Sequence, residues 1–92
     1  MPYSEKTAYA VNHGPRNLGN ALGRLAVSLD ISVLRLSKVT GATRQTVYNW
    51  MLGGEVLNPY KPTVEKLTVI LKRARSTEGA WRSICQEFNI QP

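Results

Sequence analysis

The side chains best able to recognise another molecule crowd into one run, Thr43-Arg-Gln-Thr-Val-Tyr-Asn-Trp50. Arg44 carries a rigid fork of donors that matches two neighbouring acceptors. Gln45 and Asn49 each place a donor beside an acceptor, and Tyr48 adds a ring and a hydroxyl. On a helix, Val47, Trp50 and Met51 share one face, which leaves Gln45, Tyr48, Asn49 and Leu52 on the other. Nothing comparable points to catalysis. One histidine, one cysteine and six acids in 92 residues offer no nucleophile with a base, no carboxylate pair and no metal cluster. His13 stands apart from any cysteine or acid cluster and reads as a surface residue. Gly53-Gly54 lacks the lysine and flanking strand of a phosphate loop. The expectation is a binding protein and not an enzyme, with no cofactor and no metal.

Charge indicates what is bound. The formal net charge is +6, which suits a polyanion, nucleic acid before membrane. Arg35, Lys38 and Arg44 fall between Ile31 and Gly54 with no acid among them. Lys66, Lys72, Arg73 and Arg75 form a second acid-free stretch, but cations in the last turn of a helix also favour its dipole. Against a DNA duplex, Arg44 fits O6 and N7 of guanine, and Gln45 or Asn49 fits N6 and N7 of adenine. Tyr48 suits a thymine methyl or a phosphate. Thr43, Thr46, Arg35, Lys38, Tyr60 and Lys61 are candidates for the phosphate backbone, which supplies affinity without sequence information. Arg16 and Arg24 are weaker ones.

The elements that must position these residues read as helices throughout. Residues 1–14 lack a clear apolar stripe and are expected as an N-terminal arm or a short helix. Pro15 suits the first turn of a helix, which is predicted over Pro15–Leu29 with a buried stripe of Leu18, Leu22, Leu25, Ala26 and Leu29. Gly19 and Gly23 weaken that helix intrinsically and therefore mark close helix contact. Ser32 caps the next helix, Val33–Thr40, which Gly41 ends with positive φ. Thr43 caps a further one, Arg44–Leu52, stopped by Gly53-Gly54. Residues 55–60 form a loop that packs through Val56 and Leu57. A helix then starts near Pro62 with Val64, Leu67, Ile70 and Leu71 inward. After a break at 76–79, Thr77 caps a last helix to Phe88. These elements make an all-α, compact bundle of about five helices, divided as 1–14, 15–75 and 76–92. Cys85 is expected to be buried, and no apolar run is long enough to span a membrane.

Small Ser37, Gly41 four residues on, then Val47 and Trp50 six and nine beyond the glycine make a specific spacing, with apolar Leu36 before it. It resembles the helix-turn-helix of Cro/repressor-type DNA-binding proteins, and the Thr43–Trp50 run is close to the S-R-x-T-V-x-x-W of many such regulators. Ser37 in place of alanine, polar Thr40 and the longer loop at 55–60 depart from the pattern. The resemblance covers Leu18–Leu71. It implies a lambda-repressor-like domain with helix 43–53 in the major groove, and a small phage or bacterial transcriptional regulator acting in the cytoplasm. Two other readings stand beside it: a protein-interaction module docking on a polymerase or another regulator, and a non-specific nucleic-acid binder. The last helix lies outside the resemblance. Its face of Trp81, Ile84, Cys85 and Phe88 either completes the core or, as the symmetry of half-sites favours, forms a homodimer interface anchored by Trp81, Ile84 and Phe88.

Overall fold

Five helix starts are set by a side-chain oxygen accepting a backbone amide. Ser4, Asn17, Ser32, Thr43 and Ser76 take the amides of Thr7, Asn20, Arg35, Thr46 and Gly79, satisfying donors that a helix cannot satisfy internally. The computed structural model describes residues 2–91, and among these the chain forms six helices and no strand. They are α1 (Glu5–Asn12), α2 (Leu18–Ser28), α3 (Val33–Thr40), α4 (Arg44–Met51), α5 (Lys61–Arg73) and α6 (Thr77–Phe88). Only α5 starts without a side-chain cap, and it has Pro62 in its first turn instead, where a missing amide costs little.

The sixth helix is the N-terminal one. The arm expected at 1–14 contains α1, which docks through Val11 and the preceding Tyr3, both buried. The Tyr3 hydroxyl donates to the Ile31 carbonyl, and burial pushes the phenol well above its ordinary pKa. Tyr9 instead stays exposed, stacked on the His13 ring at 3.9 Å. The start of α2 also differs from expectation. Pro15 lies outside the helix against Gly53, and Asn17 is the cap. Ser76, not Thr77, caps α6. The Thr77 hydroxyl is occupied by the Leu29 carbonyl.

α3 and α4 have the predicted extents to within a residue. Gly41 ends α3 at φ +77°, and its amide bonds the Ser37 carbonyl at 2.9 Å. The two polar residues that seemed out of place here hold the turn. Ser37 Oγ donates to the Ala42 carbonyl, while Thr40 Oγ1 donates to the Leu36 carbonyl and accepts the Ala42 amide.

One core runs through all six helices, including Leu22, Leu36, Val47, Met51, Leu67 and Ile84. α2 lies at its centre, against α4 on one side and α5 on another. A β-carbon at Gly19 would stand 2.7 Å from the Trp50 carbonyl oxygen, and one at Gly23 2.8 Å from Met51 Cα. Both glycines are therefore points of backbone contact, as their spacing suggested. In the 53–60 loop Val56 is buried, but Leu57 is exposed and does not pack as expected.

α6 closes the core, one of the two roles that its apolar face allowed. Ile84 is fully buried and Trp81 is 8% exposed within the single chain, so neither is left to anchor a second copy. Phe88 is half-buried beneath the Lys66 ammonium, 5.0 Å from the ring centroid. Cys85 is buried, as expected. No helix among the described residues is long and apolar enough to cross a membrane.

Gly19→Ala and Gly23→Ala test the α2–α4 contact. Alanine is the better helix former by about 1 kcal/mol, yet each added methyl meets backbone, and overpacking costs about 1–3 kcal/mol. Both variants should melt at lower temperature than the parent, and a rise in melting temperature would refute the contact.

Candidate functional site

The outward face of α4 is defined by what its inward face does. Val47, Trp50 and Met51 are buried, the last two against Gly19 and Gly23 of α2, and the Trp50 ring packs on Tyr60 with centroids 5.2 Å apart. Arg44, Gln45, Asn49 and Leu52 are consequently exposed, and Tyr48 and Thr46 are half-buried. Gln45 Nε2 donates to Asn49 Oδ1 at 3.2 Å, one helical turn on. This contact leaves Gln45 an acceptor and Asn49 donors facing outward. Thr43 is held by its own cap and by its hydroxyl bond to Thr46 Oγ1 at 2.9 Å.

The cations expected to meet a duplex, Arg44 at bases and the others at phosphates, separate into two groups. Lys38 on α3, Arg44 on α4 and Lys61 at the start of α5 are exposed. Arg35 is instead laid over the Trp81 ring, with its guanidinium carbon 4.8 Å from the centroid. That cation–π contact ties it to α6. Arg24 is also committed inside the chain, its Nε to Asn20 Oδ1 and its Nη2 to the Asn12 carbonyl, each at 2.7 Å. Tyr60 is half-buried on Trp50, so its ring is structural.

Two clefts flank α4. One, of about 450 Å³, lies between α4 and the following loop and is lined by Thr46, Asn49, Trp50, Leu52, Gly54, Glu55, Leu57 and Tyr60. The other, of about 400 Å³, separates α4 from α1 and is lined by Lys6, Thr7, Ala10, Gln45, Tyr48 and Leu52. Of these residues Glu55 alone is acidic. Sequence reasoning missed Glu55 and Lys6 because nothing in the spacing places the loop or α1 beside α4.

It also missed Asn20, which orients the site. Asn20 is fully buried. Its Nδ2 donates to the Val11 carbonyl at the end of α1 and to the Met51 carbonyl at the end of α4, both at 2.8 Å. Its position three residues before Gly23, on the face where α2 meets α4, was the available signal.

Comparison of the chain with protein-family models, with curated proteins and with solved structures finds no match. The reading of this surface therefore rests on its own chemistry.

Asn20→Ala should cost about 2–4 kcal/mol, since it removes a buried side chain, leaves the Met51 carbonyl without a partner and takes one of two hydrogen bonds from both the Val11 carbonyl and Arg24. Urea unfolding would measure it, and a loss under about 0.5 kcal/mol, the scale of an ordinary surface change, would show that the amide is dispensable.

Proposed function

We propose that the protein binds double-stranded DNA sequence-specifically and regulates transcription, with α3 and α4 acting as a helix-turn-helix and α4 entering the major groove. The observation that carries this reading is the outer face of α4. Arg44, Gln45 and Asn49 are exposed together on a two-helix unit that has cations and no acid, while Val47, Trp50 and Met51 are turned inward. Arg44 at the helix start opposes the dipole, so helix stability does not account for it. It suits guanine O6 and N7. The bonded Gln45–Asn49 pair presents an acceptor from one residue and a donor from the other, the complement of N6 and N7 on adenine. Thr43, Thr46, Lys38 and Lys61 would meet phosphates on either side.

A single α4 spans few base pairs, so two copies on half-sites about one helical turn apart would double the readout. With Trp81 and Ile84 in the core, Phe88 is the remaining α6 residue available to such a pairing. A protein partner is the second reading, favoured by exposed Leu52 and Leu57 around the cleft that holds Glu55.

Selection from random duplexes, followed by titration of the winning sequence, tests the proposal. Binding should weaken steeply with salt, and Lys38→Ala should lower the log–log slope by about one unit. Arg44→Ala should cost about 1–3 kcal/mol and relax preference at one base pair of each half-site. Affinity lost equally for every sequence would make Arg44 a phosphate contact, and binding indifferent to salt would favour the protein partner.

A further inference from the structure

We infer that α1 is a second DNA-contacting element, in which Lys6 neutralises a phosphate of the strand that borders the groove read by α4. The inference rests on the reading of α4 proposed above.

The relative course of the two helices follows from their ends. At their carboxyl ends α1 and α4 meet, because the Val11 and Met51 carbonyls bond the same Asn20 nitrogen. A β-carbon on Gly14, just past α1, would lie 3.3 Å from the Leu52 carbonyl oxygen. Toward their amino ends the helices still face one another, with Lys6 and Thr7 across a cleft from Gln45 and Tyr48. α1 therefore runs beside α4 in the same direction, with the cleft between them.

That arrangement meets a constraint in DNA. The major groove is about 12 Å wide and admits one helix, whose own diameter with side chains is about 10–12 Å. When α4 occupies the groove, α1 cannot enter with it. The sugar-phosphate strand at the groove's edge then lies over the α1–α4 cleft. The cleft suits such a strand. Its lining contains no acid, and among the described residues Lys6 makes no ion pair. Ala10, Leu52 and Tyr48 give the lining apolar surface for deoxyribose, and Lys6 stands on its α1 side. Glu5, the acid next to Lys6 in the chain, is not part of the lining.

Lys6 is exposed, so its replacement leaves the core intact, and thermal melting of each variant confirms it. Wild type, Lys6→Ala and Lys6→Glu are titrated with the selected duplex over a range of salt, with Lys38→Ala alongside. Lys6→Ala should bind about three- to tenfold more weakly at moderate salt, with the slope lowered by about one unit, and Lys6→Glu more weakly still. Base preference should not change. Parental affinity and slope in both Lys6 variants, while Lys38→Ala still weakens binding, would overturn the role of α1 and leave that of α4 standing. An altered base preference would overturn the phosphate assignment. A wild-type protein that binds no duplex would overturn both readings.

Discussion

One buried carboxamide receives the carboxyl ends of two helices. The last carbonyls of any helix lack internal donors, and burying them unpaired costs free energy on the scale of a lost hydrogen bond. Asn20 gives both hydrogens of Nδ2 to such carbonyls, Val11 and Met51, and its Oδ1 is taken up by Arg24 Nε. Every polar atom of the side chain is thereby matched, which is the condition under which a buried polar group is tolerated. A leucine here would fill similar space, orphan the Met51 carbonyl and leave Val11 only the Gly14 amide at 3.3 Å. The amide thus fixes where α1 and α4 end relative to α2, and with that the direction in which both helices leave the core.

The rest of the α2–α4 contact is set by close approach. Gly19 and Gly23 bring the α2 backbone onto Trp50 and Met51. The intrinsic cost of two glycines in a helix, about 1 kcal/mol each, is offset by the burial of those large side chains. Trp50 is then confined between α2 and the Tyr60 ring, and a residue confined on that face cannot swing outward to stack on a ligand. The same confinement makes Gln45 and Asn49 point outward with a defined register.

Where sequence and structure agree, a local physical device does the specifying. Ser32 and Gly41 bracket α3, and Thr43 and Gly53 bracket α4, so both elements and the outward set of Arg44, Gln45 and Asn49 could be read directly. α1 stayed open between a short helix and an arm, because its only buried residue is Val11 and its other anchor, Tyr3, precedes the helix. The apolar face of α6 was legible but its destination was not. A stripe of Trp81, Ile84 and Cys85 has the same pattern whether it meets its own chain or another. The contacts of Arg24 and Arg35 within the chain were not legible for a related reason. A charge pattern does not reveal intramolecular partners, here a buried amide and an indole ring. The polar residues Ser37 and Thr40 looked like departures from a familiar spacing, and in the fold they are the side chains that close the turn.

α4 is only eight residues long, too short to persist alone in water, and its own side chains do little for it. Arg44 stands at the positive end of the dipole, a placement that costs about 0.3–1 kcal/mol at the surface, and no cation occupies the last turn. The scaffold supplies what the helix lacks. Its terminal carbonyls are met from outside the helix: Met51 by Asn20, Trp50 by the Gly53 amide and Asn49 by the Gly54 amide. Its inner face is packed by α2, and its start is capped by Thr43. None of these supports involves Arg44, Gln45 or Asn49 through a side chain. The outer face adds only the Gln45–Asn49 side-chain bond, one turn apart, a contact that stabilises a helix by about 0.2–0.5 kcal/mol. The cap and the externally met carbonyls offset the cost of an arginine at the positive end of the helix.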